Sequence, residues 1–182
     1  MDKEFTIVAF SENSIGLLNR LTIIFTRRHL NIESLTVSES AIQGIFKFTI
    51  VVNTNQSQIE KVVKQINQVV DVLKAFYLNG EDIIYQEIAL YKVPTEAVTK
   101  SNEIEMLIRK HNARILEITP DYTAIEKTGH KEETQQLFED MKKFEVMQFT
   151  RSGRVAITKA TRERLSEYLH KLDTEKLMIE ES

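Results

Sequence analysis

Residues 45–52, IFKFTIVV, carry a period of two at their centre. Phe46, Phe48, Ile50 and Val52 fall on one face, with Lys47 and Thr49 on the other. A few residues on, the spacing changes: Ile59, Val62, Val63, Ile66 and Val70 recur at helical intervals. A period of two predicts a half-buried strand, and a period near 3.6 predicts an amphipathic helix packed on it. The same switch precedes and follows this stretch. The spacing predicts strand 4–10, helix 15–28, strand 32–39, strand 44–52, helix 57–69 and strand 71–78. Leu18, Leu21, Ile24 and Phe25 set the stripe of the first helix, and Leu17 and Ile23 widen it. Ser57 with Glu60 reads as a capping box at the start of the second.

This order is βαββαβ, the ferredoxin-like split pattern. Two helices cover one face of a four-stranded antiparallel sheet, and the other face is left open. A unit of about 80 residues is marginal alone, so it tends to cover that face or an edge strand with a partner.

The second half repeats the order. Residues 86–93 form a strand closed by Pro94. A helix runs within 96–111, with Ile104, Leu107 and Ile108 inward. Strands 114–118 and 122–127 flank the turn signal Thr119-Pro120-Asp121. A helix at 134–144 turns Leu137, Phe138 and Met141 inward, and strands 145–151 and 154–158 close the unit around Gly153. Asn79-Gly80 marks the boundary. The expected class is α+β: two tandem ferredoxin-like domains, 1–79 and 80–159, then a charged tail, 160–182. Leu165, Tyr168, Leu169 and Leu172 give that tail a helical stripe.

Charge narrows the function. The 182-residue chain carries 24 basic and 27 acidic side chains. Residues 1–80 hold 8 basic and 7 acidic, leaving 16 and 20 for the rest. Neither half has the basic face that a phosphate backbone requires, so no nucleic acid is expected. With no cysteine, disulfide, thiolate and thiolate-metal chemistry are excluded. No apolar run approaches the length of a membrane span, and MDKEFTIVAF lacks the pattern of a signal peptide. A cytoplasmic protein without a membrane partner is expected.

No catalytic constellation emerges. His29, His111, His130 and His170 stand far apart, none spaced for shared metal ligation. No carboxylate sits isolated in an apolar run, and there is no GxSxG and no Gly-rich phosphate loop. The expectation is no catalytic residue and no metal.

One stretch does carry binding chemistry. FSENSIGLLNRL, residues 10–21, places Gly16 where the first strand hands over to the first helix. The first N–H groups of a helix lack internal partners, and the macrodipole favours an anion there. Gly16 lets the backbone approach a ligand. Asn13 can bond an amino-acid head group, while Ile15 and Leu17 offer an apolar wall. Asn31, opening the second strand, is expected across the same end of the sheet. The alternative is a plain helix cap by Asn13 or Ser14, with Gly16 easing the turn.

ENSIGLLNRLTIIFTRRHLNIESLTV, residues 12–37, resembles the opening of the small regulatory subunits of acetolactate synthase (acetohydroxyacid synthase). Asn13, Gly16, Arg20, Phe25 and Asn31 to Val37 carry the family pattern. QINQVVDVLKAFYL (65–78), QEIALYKV, RILEITP and FTRSGRVAI (149–157) resemble its later segments. The resemblance implies an N-terminal ACT domain that pairs into a homodimer. It places a branched-chain amino acid, usually valine, on Asn13, Gly16 and Asn31, with Ile15, Leu17 and Ile32 beside them. It further implies no catalysis by this chain. The partner is a catalytic large subunit that carries thiamine diphosphate, magnesium and FAD, and this chain activates it and makes it feedback-sensitive. Ile15 and Leu17 are larger than the family's usual residues, so both are expected to narrow the pocket. His29 stands where the family's first helix usually ends on glycine, so either a non-glycine left-handed cap, at roughly 1 kcal/mol, or a different helix end is expected.

Two other readings stay open. One is a free-standing amino-acid sensor acting on a different partner. The other is a small ferredoxin-like hydrolase with an arginine and an asparagine around a phosphate in the first loop; Arg20, a turn inside the helix, counts against it.

Overall fold

The computed structural model describes residues 2–100 and 102–161. The tail stripe Leu165, Tyr168, Leu169 and Leu172 lies outside the described residues. Two compact units emerge. One comprises the residues up to Ile84 together with the described residues from Ala156 on, and the other is Tyr85–Val155.

The first unit runs β1 (Lys3–Glu12), α1 (Leu17–Arg27), β2 (Ile32–Glu39), β3 (Ile45–Thr54), α2 (Gln56–Ile66) and β4 (Val72–Leu78). Its sheet has the order β2-β3-β1-β4, with antiparallel neighbours. β1 and β2 therefore run parallel, and β2 is an edge strand. Leu17, Leu21 and Phe25 of α1 pack on Phe5, Ile7, Ala9, Phe48, Ile50 and Val52, joined by Ile59, Val62, Val63 and Ile66 of α2. The spacing that predicted the helices is the spacing that fills this core, at about 1.5–3 kcal/mol per buried large side chain.

The ends of the elements depart from expectation for local reasons. α1 begins after Gly16, not at 15, because Gly16 has φ 79, outside helical space. Of the two ends open to it, it takes the left-handed cap, on His29 with φ 52. There the N–H of Leu30 donates to Phe25 O and that of His29 to Thr26 O, a Schellman motif. The capping box at Ser57 and Glu60 does not form. Asn55 takes the extended backbone of the N-cap instead, and its side chain accepts from Gln58 N at 3.0 Å. α2 stops near 67 rather than 69 because the Asn67 side chain bonds both N–H and C=O of Ala75. Asp71, φ 75, delays β4 to residue 72.

The second face of this sheet is not left open. Thr6, Val8, Phe10, Thr49 and Val51 are all buried. Part of their cover is the chain's own returning segment: the Lys47 ammonium donates to Ala156 O at 2.8 Å.

Strand β5 (Ile83–Pro94) begins in the first unit and passes at Tyr85 into the second, which follows the same plan with α3 (Thr95–Lys100), α4 (Glu103–Lys110), β6 (Arg114–Ile118), β7 (Tyr122–Gly129), α5 (Lys131–Met141) and β8 (Gln148–Arg151). β9 (Val155–Thr158) leads back to the first unit and pairs with β5. Its sheet order is β6-β7-β5-β8. Ala89, Tyr91, Val93, Ile104, Ile108, Ile125, Leu137 and Met141 form the core, with Leu107 and Phe138 packed at its margin. The single helix expected within 96–111 is two. α5 starts three residues early because His130 N donates to Glu133 Oε2 at 2.7 Å. Glu145, φ 58, delays β8 to residue 148.

One ion cluster ties α4 to α5. His111 Nε2 lies 2.9 Å and Lys110 Nζ 3.1 Å from Asp140 Oδ2. With Gln136, these partners hold the Asp140 carboxyl down to about 2 from an ordinary 3.8, His111 contributing most. A depressed carboxyl stabilises the fold above its unfolded pKa and loses that contribution as pH falls through the folded one. Asp140→Asn is therefore expected to cost about 1 kcal/mol at neutral pH. Thermal melts should show the variant and parent converging as pH drops from 4 to 2.

Candidate effector groove

The β1–α1 loop, Asn13 to Gly16, rises at the end of the sheet where β1 finishes. No side chain caps α1. The Asn13 and Ser14 side chains therefore do not play the plain capping role; the Leu17 N–H donates to Ser14 O at 3.2 Å, and the rest of the first turn is offered to an anion. Beside it lies a groove of about 250 Å³, lined by Glu12, Asn13, Ser14, Gly16, Leu17, Leu18, Val37, Phe46 and Phe48. Phe46 and Phe48 come from the alternating strand and Val37 from the edge strand β2, which sits opposite Phe48. The groove thus joins a polar end, made by the loop and the helix terminus, to an apolar floor.

The loop is held from behind. Arg20 Nη2 donates to Asp71 Oδ2 at 2.7 Å and to Ser14 Oγ at 3.1 Å, and Nη1 donates to Val70 O at 3.3 Å. The N–H of Glu12 donates to Asp71 O at 3.0 Å. The Arg20 guanidinium, and next the Ser14 hydroxyl, hold the Asp71 carboxyl below the usual carboxylate range. This clasp sustains the loop above the ordinary carboxyl pKa and weakens as pH falls through the depressed value. Arg20 is committed to Asp71 and Ser14, which removes it as the phosphate ligand that the hydrolase reading requires.

Of the residues singled out from the sequence, Asn13, Gly16 and Leu17 come together in the groove. Leu17 does so from the core, 2% exposed. Ile15 does not line the groove: it is 103% exposed, so it takes no room from a ligand and the narrowing expected of it is absent. Asn31 and Ile32 lie at the opposite end of the sheet, not the same end. Ile32 is level with Val52, and Val52 with Phe5, whereas the loop leaves β1 at Glu12, level with Ile45. Seven residues of strand separate the two ends, about 23 Å. The reason is topological: β1 and β2 are parallel, so β2 starts where β1 starts.

Sequence reasoning missed the clasp of Arg20, Ser14 and Asp71, since nothing local joins residues 51 apart. It had the floor within reach, because Phe46 and Phe48 already shared a face. The side of the groove next to α1 and β2 is uncovered and apolar, with Leu18 45% and Val37 40% exposed.

Among the described residues no group of three or more His, Asp or Glu is arranged to hold a metal. No described helix is long and apolar enough to cross a membrane.

Comparison with known proteins fits the two units. The family described as "AHAS small subunit-like ACT domain" matches residues 7–74, and "Small subunit of acetolactate synthase" matches 86–160. The chain is 32% identical over 155 residues to the acetolactate synthase small subunit of Bacillus subtilis, covering 85% of this chain and 90% of that protein. It is 31% identical over 156 residues to the probable acetolactate synthase small subunit of Methanothermobacter thermautotrophicus, covering 86% and 93%. The crystal structure of the acetolactate synthase small subunit from Thermotoga maritima superposes with a TM-score of 0.79 at 26% identity, over 88% of this chain and 99% of that one. With an ACT-type first unit, a matching second unit and relatives spanning most of its length, the chain belongs to the regulatory small subunits of acetolactate synthase, which are non-catalytic.

Proposed function

We propose that the groove binds a branched-chain amino acid, valine foremost, and that the bound effector lowers the activity of the catalytic large subunit that this chain otherwise activates. The observation that carries the reading is the polarity of the groove. An uncapped helix N-terminus with Gly16 at φ 79 faces an apolar floor of Phe46, Phe48 and Val37. The α-carboxylate sits at the helix terminus, where the orphan N–H groups and the dipole favour it. Asn13 bonds the head group, and the branched side chain rests on the two phenylalanines.

A homodimer through the ACT units completes the site. β2 is the edge strand of its sheet, and the apolar side chains of Leu18 and Val37 beside it are exposed. Pairing β2 antiparallel with its copy, about a two-fold axis near Leu35 and Thr36, brings the partner's Asn31 beside Ser40, at the groove end. Asn31 then serves the site across the interface, with Ile32 next to it. Thiamine diphosphate, magnesium and FAD belong to the catalytic subunit in this reading, and no step requires them here. The complex works in the cytoplasm.

The effector acts by linkage. It binds the less active arrangement of the complex more tightly, and a coupling of ~1–3 kcal/mol changes activity roughly 5- to 150-fold. Reconstitution tests this directly. The chain is added to its catalytic subunit, and valine, leucine and isoleucine are titrated in turn. Activation followed by saturable inhibition, with valine the most potent, is expected. Activation that none of the three reverses would remove the effector reading. Failure to activate, with recovery of an unrelated protein in a native pull-down, would favour the free-standing sensor.

A further inference from the structure

Strand β3 uses both of its faces. Phe46 and Phe48 turn toward the helices and floor the groove. Lys47, between them, turns to the other face, where its ammonium lies 5.9 Å from the centre of the Phe10 ring. That ammonium donates a part-buried hydrogen bond to Ala156 O at 2.8 Å.

Ala156 is 4% exposed and belongs to the segment that comes back to the first unit. Ala156, Ile157 and Thr158 line one small cleft with Val8, Lys47, Phe76 and Leu78; Ala156 is the buried member, while Ile157 stays 60% exposed. One residue further, the N–H of Lys159 donates to Asp82 O at 2.9 Å. The returning segment is thus fastened at both ends of its course, and one of the fastenings is the residue between the two groove-floor phenylalanines.

We infer that residues 156–159 are the output element of the effector groove and that Lys47 is its positioning residue. The inference rests on the reading of the groove as the effector site. β3 is paired with β1 over ten consecutive positions, from Lys3–Thr54 to Glu12–Ile45. Such a strand answers a push on Phe46 and Phe48 as a stiff element, with little local give. Lys47 moves with it and carries the displacement to Ala156 through the charge-assisted hydrogen bond. The segment then has two arrangements, with and without effector, and this is the condition for a coupling between sites. A fastening with no such role would hold the segment equally in both states.

The test uses the full chain. Hydrogen exchange of the peptide spanning 155–161 is followed with and without saturating valine, in the parent, in Lys47→Met and in Lys47→Arg. Calorimetric valine binding, thermal melts and inhibition of the reconstituted enzyme are measured on the same preparations. In the parent, valine is expected to change exchange in 155–161 by about fivefold or more. Lys47→Met should bind valine within about twofold of the parent and still activate, but lose that exchange response and most of the inhibition. Lys47→Arg keeps a donor and should restore both. Valine binding to the parent with no change in 155–161, or full inhibition of a folded Lys47→Met complex, overturns the inference and leaves the groove reading standing. No binding of any branched-chain amino acid by the parent overturns both.

Discussion

Gly16→Asp should abolish feedback inhibition while leaving activation of the catalytic subunit close to that of the parent. Two effects separate cleanly at this position. Gly16 has φ 79, so any L-residue there costs about 1 kcal/mol in backbone strain. A Cβ built on Gly16 meets nothing within 4 Å, so the substitution does not disturb the packing. What remains is charge: the new carboxylate stands where the ligand's own is expected, and like charges placed together cost several kcal/mol. Affinity for valine should fall by about 100-fold or more, which corresponds to roughly 2.7 kcal/mol. Gly16→Ala supplies the control, since it carries the strain without the charge and should weaken binding far less. Calorimetry on the isolated chain, with inhibition titrations of the complex, measures both. A Gly16→Asp complex that stays fully inhibited by valine, leucine and isoleucine would show that the effector binds elsewhere.

Mixing two feedback-deaf variants should restore feedback. In the proposed dimer each site takes Asn13 and Gly16 from one protomer and Asn31 from its partner. Asn31→Ala removes a hydrogen bond to a charged group, about 1.5–3 kcal/mol, and should weaken valine roughly 10- to 100-fold. At valine concentrations near the parent's half-saturation, neither Gly16→Asp nor Asn31→Ala homodimers then respond appreciably. When the two are mixed and allowed to exchange subunits, about half of the dimers are mixed. Each mixed dimer carries one doubly altered site and one with every residue intact. Partial recovery of inhibition and of high-affinity valine binding is expected. A site built within one protomer predicts no recovery at any mixing ratio. The distinction is sharp because about 23 Å of strand separates Asn31 from Gly16 in a single protomer.

How far the sequence could be read follows from the range of the forces involved. Periodicity is local, so the strand of IFKFTIVV and the stripe of Ile59, Val62, Val63 and Ile66 were legible, and with them the βαββαβ order. Element ends were less so, since they turn on single backbone angles. Gly16, Asp71 and Glu145 take positive φ, and Asn55 outcompetes Ser57 for the cap. Which neighbour of Gly16 faces the groove was not legible either. Ile15 and Leu17 are both large and apolar, and only the helical phase that starts at 17 turns one inward and the other out. Asn31 was misplaced because adjacency in the chain says nothing about which end of a sheet a parallel strand begins. The clasp between Arg20 and Asp71 and the seat of Lys47 on Ala156 join residues 51 and 109 apart, and no local pattern announces either.

The return of the chain to its first unit also has a consequence for how the protein is made. Residues 1–84 hold both helices and all four strands of the first sheet, yet Ala156 to Thr158 arrive only after Tyr85–Val155 has been synthesised. At about 5–20 residues per second the ribosome needs several seconds for that interval. Throughout it Val8, Phe76 and Leu78 lack the neighbours that later close over them. A nascent chain halted before residue 156 would therefore expose an apolar sheet face that the finished protein hides, and ribosome-bound truncations ending at 155 and at 161 should differ in chaperone binding.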